Sequence, residues 1–291
     1  MPAAAPAAPT PQDRLILKLQ SVCPLSTDEI AALQNLPLVV TRLQEDADVL
    51  REGDRPTQCC LLLEGFLFRY KMLPTGARQI TSIHVSGDMP DLQTLRLQVM
   101  DHCLGALASS TVAFIPHRVL LALVAHHPGI GAALWRETLI DAAIFREWVV
   151  NVGRRSSTQR AAHLFCEFYA KMKAVGLAEP DGCVFPMTQA ELGDAMGISG
   201  VHVNRTLKEL RSLGLIVLQP GRLGIPDWEA LKRFGLFDPT YLHMASHVEV
   251  RAAERPDWAR AAAGDVLHPQ PGPKTINVKL PVNRSGRQLD L

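Results

Sequence analysis

The 291 residues predict an α+β protein, with an antiparallel, jelly-roll-like β-roll in front, a helical rear half, and one long helix between them. Three observations carry that prediction. Short apolar runs broken by Gly, Pro and Asp fill residues 38–116, a helical periodicity follows Pro128, and two short helices with a glycine turn and a β-hairpin close the patterned part of the chain. At roughly 150 residues per domain the length suggests two domains, each able to bury its own core. A chain with 47% hydrophobic and 20% charged residues is not wholly disordered.

The opening MPAAAPAAPTPQ has neither a basic start nor a continuous apolar stretch, so residues 1–14 are expected to be a flexible leader and not a signal peptide. The longest apolar run, 119–125, is bracketed by Arg118 and His126 and falls far short of the ~20 residues of a membrane helix. No membrane partner is expected. Cysteines 23, 59, 60, 103, 166 and 183 form no CxxC pair and no disulfide framework, which fits a reducing, cytoplasmic setting.

Strand-like runs occupy 38–40, 59–63, 66–73, 80–85 and 112–115, with Gly53, Gly65 and Gly87 at their ends. Pro74, Thr75, Gly76 and Ala77 supply turn chemistry between the third and fourth runs and predict a hairpin. The roll is assigned to 15–127 and the long helix to 128–153. Along that helix Trp135, Thr138, Ala142, Phe145, Val149 and Val152 recur at alternating spacings of three and four, while Ile140, Ile144 and Trp148 form a second row. Two apolar rows need two partners. One row packs on the chain's own roll, and the Trp135 row is the expected seam against a second copy.

Charge separates the halves. Residues 1–149 hold 12 basic and 15 acidic side chains, whereas 150–225 hold 9 and 6, so positive charge gathers in the rear module, assigned to 154–236. There Thr188 with Glu191 forms a capping box, Gly197 permits the positive φ of a tight turn, and Ser199 can cap a second helix. Val203, Leu207 and Leu210 then point back at Leu192 and Met196. This is helix-turn-helix geometry. Leu215 to Leu218, the turn through Pro220 and Gly221, and Leu223 to Ile225 add a hairpin wing carrying Arg222.

The other face of the second helix presents groove-facing types: Gly200, Val201, His202, Asn204, Arg205 and Lys208. Arg grips guanine O6 and N7 with two prongs, Asn does the same for adenine, and a helix N-terminus favours a nearby phosphate. Thr188, Gln189, Ser199 and Arg222 complete the expected contacts with double-stranded DNA. Residues 237–291, Pro-rich at 268–273, are expected to form a flexible tail.

The run TQAELGDAMGISGVHVNRTLKELRSLGLI, the segments EGFLFRYKML and SGDMPDL, and the order of elements over about residues 20 to 235 resemble the Crp/Fnr family of bacterial transcription regulators. The resemblance implies a cyclic-nucleotide-binding-like roll, a homodimer joined along the long helix, and two recognition helices reading a near-palindromic site. It also allows activation through contact with RNA polymerase, with the direction of regulation left open. Asp91 and Leu92 stand where cyclic-AMP-binding members carry Gly and Glu, and Met100 and Asp101 where they carry Arg and Ser. A carboxylate in place of the phosphate-binding group repels a cyclic phosphate, so cyclic AMP is disfavoured. Cys23 stands alone near the start, so the four ligands of an iron-sulfur centre are missing and no cofactor is expected.

Asp91, Asp101 and His102 are the candidate lining of a pocket for an unidentified small-molecule effector. His84, His102 and His117 raise a second reading, a metal-dependent, cupin-like jelly-roll enzyme with an accessory helical domain. They lack His-x-His spacing, and no nucleophile triad, P-loop or dinucleotide fingerprint occurs, so neither a metal site nor a catalytic residue is assigned and a non-enzyme is expected.

Overall fold

The computed structural model describes residues 10–244. Its first element corrects the expected leader, because residues 11–14 belong to helix α1 (Pro11–Gln20). The Thr10 hydroxyl accepts the Asp13 N–H at 3.2 Å, the Asp13 carboxylate accepts the Thr10 N–H at 2.8 Å, and Pro11 pre-sets the first helical φ. Leu15, Ile16 and Leu19 are buried by this helix. Helix α2 (Thr27–Gln34) opens on the same reciprocal cap, between Ser26 and Glu29.

The roll consists of β1 (Val39–Leu43), β2 (Asp48–Leu50), β3 (Gln58–Glu64), β4 (Leu67–Met72), β5 (Arg78–His84), β6 (Cys103–Ala106) and β7 (Ser110–Pro116). All pairings are antiparallel, in one sheet of order β1-β7-β3 and another of order β2-β6-β4-β5. Cys60, Leu62, Leu67, Leu104, Ala106 and Val112 fill the space between the sheets. Strand β3 is buried without alternation from Cys59 to Leu63, because its other face is covered by α1, α2 and the short helix α3 (His117–His126). The expected hairpin joins β4 to β5, with Met72 opposite Arg78. Gly65 turns the chain from one sheet to the other at φ +89°, where an added Cβ would lie 2.3 Å from Ser110 Oγ; glycine alone fits that corner.

Helix α4 (Pro128–Arg154) is 27 residues long, about 40 Å at ~1.5 Å per residue. Its Ile140, Ile144 and Trp148 are buried against Phe66, Phe68, Tyr70, Ile80 and Ile83 of the roll and against the rear half, in one continuous apolar cluster. The chain then turns through Arg155 and Ser156 into α5 (Ser157–Ala174), whose Ser156 and Gln159 form another capping box.

Around α5 pack α6 (Gln189–Met196), α7 (Gly200–Ser212) and α8 (Trp228–Phe234). The wing strands β10 (Val217–Gln219) and β11 (Arg222–Gly224) belong to a four-stranded sheet completed by β9 (Gly182–Val184) and β8 (Ala178–Glu179). The expected tail begins later than residue 237. Phe237 and Leu242 are buried and Pro239–Leu242 forms a 3₁₀ turn, while residues 245–291, including the Pro-rich stretch, lie outside the described residues.

Candidate DNA interface and effector cavity

Helix α6 begins where its cap dictates. Thr188 N–H and Oγ1–H both donate to Glu191 Oε2, at 2.7 and 2.8 Å, and the Thr188 oxygen accepts the Glu191 N–H at 3.3 Å. The helix ends at Gly197, with φ +64° and ψ +38°, the left-handed conformation of a C-cap glycine. Ser199 occupies the N-cap position of α7, but its hydroxyl makes no capping hydrogen bond, which departs from the expected role.

Along α7 the apolar register is as read. Val203, Leu207 and Leu210 are fully buried with Leu192 and Met196 of α6, so the opposite face must point outward. Val201 is 76% exposed, and His202, Asn204, Arg205 and Lys208 are exposed beside it. Arg205 and Lys208 take part in no ion pair among the described residues. Asn204 Nδ2 donates to the Gly200 carbonyl at 3.2 Å, leaving its side-chain oxygen free. Gln189 is exposed at the start of α6, and Gly200, with nothing within 4 Å of an added Cβ, leaves the N-terminus of α7 open.

The wing differs from expectation. Arg222 is held between two carboxylates of the neighbouring hairpin, Glu179 at 2.7 Å and Asp181 at 3.1 Å, so its charge is largely offset. Arg222→Ala should therefore weaken specific and random duplexes alike, by less than about tenfold, leaving their ratio unchanged, because a phosphate contact carries no sequence information. Fluorescence anisotropy titrations on both duplexes measure this; a changed ratio would assign Arg222 to base reading instead.

The reading unit is tied to the roll. Arg78 of β5 lies over the Phe68 and Tyr70 rings, 5.3 and 5.7 Å from their centroids, and donates to Asp194 of α6 at 2.7 Å. Its neighbour Gln79 donates to the Ala195 carbonyl at 3.2 Å.

A solvent-exposed basic helix, braced by a shorter capped helix across a glycine turn and followed by an antiparallel wing, defines a winged helix-turn-helix DNA-binding protein. Residues 159–234 match the Crp-like helix-turn-helix domain. A probable transcriptional activator of Rhizobium leguminosarum bv. viciae is 22% identical over 193 residues, 66% of this chain and 79% of that protein. The nitrogen fixation regulation protein FixK of Bradyrhizobium diazoefficiens is 25% identical over 180 residues, covering 62% and 74% of the two chains. Among solved structures, FixK2 from Bradyrhizobium japonicum shares the fold with a TM-score of 0.61 at 20% identity, over 68% of this chain and 98% of that one. The chain carries a Crp-like helix-turn-helix domain and is similar over most of its length to transcription regulators of the Crp/Fnr type, which supports DNA-binding transcription regulation.

A cavity of about 220 Å³ lies between α1, the roll and α4. Of the three expected lining residues it brings in Asp101 and His102, which pair with each other at 2.7 Å. Asp91 is not among the lining residues. Only 1% exposed, it turns inward and accepts the Cys60 N–H on both oxygens, at 2.8 and 3.0 Å. Its substitution pattern relative to cyclic-nucleotide-binding chains therefore reflects a strand brace.

The cavity's dominant charges come from residues not singled out in the sequence. Lys18 of α1 bridges Asp88 at 3.0 Å and Glu137 of α4 at 3.2 Å. Arg69 of β4 pairs with Asp141 of α4 and donates to the Pro90 carbonyl. Burial opposes the charged form of Asp88, but the Lys18 ammonium, the His84 hydrogen bond and the Lys171 charge together outweigh it and hold the carboxyl well below its ordinary range. Burial, with Arg69 nearby, pushes His84 down to about 4, so the ring is neutral where it meets Ser82 Oγ at 2.8 Å. His117 sits apart from the cavity lining, against Thr94 Oγ1 at 3.0 Å, so the three histidines do not converge. Among the described residues no group of three or more His, Cys, Asp or Glu side chains could hold a metal ion, and no helix is long and apolar enough to cross a membrane.

Burial pushes the Asp91 carboxyl up to about 7, against the opposing pull of the Cys60 N–H. A raised folded-state value means the associated stability is full below the ordinary carboxylate pKa and is lost as pH rises through about 7. The unfolding free energy of the wild type minus that of Asp91→Asn should thus fall by about 2–3 kcal/mol from pH 5 to pH 8, measured by urea denaturation. A difference that stays flat across that range would mean Asp91 is ionised throughout.

Proposed function

We propose that the protein acts as a homodimer, joined along α4, whose paired α7 helices enter successive major grooves of a near-palindromic duplex about 34 Å apart. One observation carries this reading. Trp135, Phe145 and Val149 are 64%, 53% and 59% exposed and Ala142 is exposed with them, with Thr138 and Val152 half-buried on the same row. Scattered exposed apolar side chains are ordinary, but an aligned row along several turns of one helix is an unpartnered seam. A second copy supplies the matching row by two-fold symmetry.

In this reading Arg205, Asn204, His202 and Val201 face base edges, while Lys208, Thr188, Gln189, Ser199 and Gly200 lie at the phosphates. The cavity, with Asp101 and His102 on its wall, takes a small effector that inserts among the Lys18 and Arg69 ion pairs. RNA polymerase is the partner through which bound protein alters transcription, and the cytoplasm is where it meets chromosomal DNA. Selecting bound fragments from a genomic pool tests the reading, first without and then with cell metabolites. A shared two-fold symmetric motif is expected, and recovered fragments with no common motif would overturn it.

A further inference from the structure

The DNA-reading surface and the cavity make no use of the last described residues, which begin where the match to the Crp-like domain ends, at residue 234. After α8 the chain bends sharply, with Leu236 at φ +49°, a backbone region that a branched side chain adopts only when its surroundings impose it. It then folds back across the joint between α4 and α5. The Leu236 carbonyl receives Arg155 at 3.3 Å, and Arg155, the first residue after α4, also pairs with Glu147 one helical stretch earlier at 2.6 Å. Phe237 and Leu242 are buried in the shared apolar cluster, and Phe237 meets the His163 ring edge-on.

A buried carboxylate stands at the centre of this contact. Glu167 of α5 is only 3% exposed. Its Oε1 accepts the Trp148 indole N–H of α4 at 2.9 Å, and its Oε2 accepts the Tyr241 hydroxyl at 2.7 Å. His163 of α5 reaches the same segment twice, with Nδ1 donating to the Gly235 carbonyl at 3.2 Å and Nε2 lying 3.1 Å from the Tyr241 oxygen. One carboxylate thus joins the long helix before the joint, the reading unit after it, and the returning chain. Removing any one partner leaves a buried oxygen unmatched, so the three are held as a set.

We propose that residues 235–242 are a latch that fixes the angle between α4 and the DNA-reading unit, with Tyr241 as its positioning residue. The proposal rests on the dimer reading above in one respect: in a dimer that angle sets the distance between the two α7 helices, and hence the half-site spacing the protein accepts. Tyr241 touches no base or phosphate in this scheme. Its work is to hold the joint still, so that a duplex with half-sites one base pair too close or too far is rejected instead of accommodated by a swing about Arg155 and Ser156.

The full chain and its Tyr241→Phe variant, which loses only the hydroxyl, decide the matter. Affinities are measured for the selected operator and for versions with one base pair added or removed between half-sites. The variant is expected to lose spacing discrimination by about fivefold or more, the equivalent of one unmatched buried oxygen, while binding to a single half-site is unchanged. A readout without DNA accompanies it: trypsin cleavage after the joint residues Arg154 and Arg155 should be about fivefold faster or more in the variant. Cleavage at the wild-type rate overturns the latch, and so does faster cleavage with spacing discrimination intact. If the wild type selects no symmetric operator, the dimer reading fails by itself, and the cleavage rate alone then supports or overturns the latch.

Discussion

Phe145→Glu is expected to yield a folded monomer that has lost tight binding to two-half-site DNA. Phe145 projects from the exposed row of α4, opposite the row through Ile140, Ile144 and Trp148 that anchors the helix, so the subunit's own core loses nothing when the ring is replaced. In a two-fold seam each copy would bring its own carboxylate into the same apolar strip. An unpaired charge removed from water there costs several kcal/mol, and two like charges near the axis add repulsion. Once the copies separate, the second reading helix no longer binds at the millimolar effective concentration that linkage provides. Affinity for a symmetric operator should therefore fall by about 100-fold or more, with single half-site binding and the thermal midpoint little changed. Sedimentation velocity at micromolar protein checks the first step: a variant that still sediments as a dimer would remove the α4 row from the interface.

How far this arrangement was legible in sequence depended on how local each signal is. The α6–α7 pair could be read almost to the residue, because a capping box, a turn glycine and an apolar register at three- and four-residue spacing are all set within neighbouring turns of the chain. The two rows of α4 were legible for the same reason. Helix α1 was not, since its few apolar residues sit in a proline-rich context and its cap, Thr10 to Asp13, uses Asp where the familiar pattern has Glu or Gln. Strands β2 and β6 are only three and four residues long, and Asp48 and Gly105 within them read as turn chemistry.

The cavity was the least legible part. Lys18, Arg69, Asp88 and the α4 pair Glu137 and Asp141 come from four separate segments, and nothing local marks the members of one segment as partners of another's. Arg69 carried the one usable signal, a cation set between Phe68 and Tyr70 in a strand run, which has to find an anion or a carbonyl when the strand is buried. Asp91 misled because position in an alignment does not specify which way a side chain turns, and here the demand of the Cys60 N–H turned it inward. Arg222 shows the same limit at the wing. Its partners Glu179 and Asp181 lie on a hairpin, β8–β9, that registers in sequence only as the glycines and proline ending α5.

Arg205→Ala is expected to cost about 1–3 kcal/mol of discrimination at one base pair in each half-site, roughly a 5- to 150-fold loss per half-site that is incurred twice on the selected symmetric operator, with a far smaller loss on random duplex. Arg205 is suited to this task in a way that Arg222 is not. It stands on the exposed face of a helix whose inner row is fully buried, and no carboxylate among the described residues holds its guanidinium, so both prongs are free for a base edge. Arg205→Lys separates charge from geometry, because an ammonium keeps the attraction to phosphate but lacks the rigid planar fork that matches guanine O6 and N7. The lysine variant should thus retain random-duplex affinity while its preference at that base pair drops nearly as far as the alanine variant's. Competition titrations against operators altered at each position in turn would show the affected base pair, and uniform weakening on operator and random duplex by both variants would place Arg205 at the phosphates.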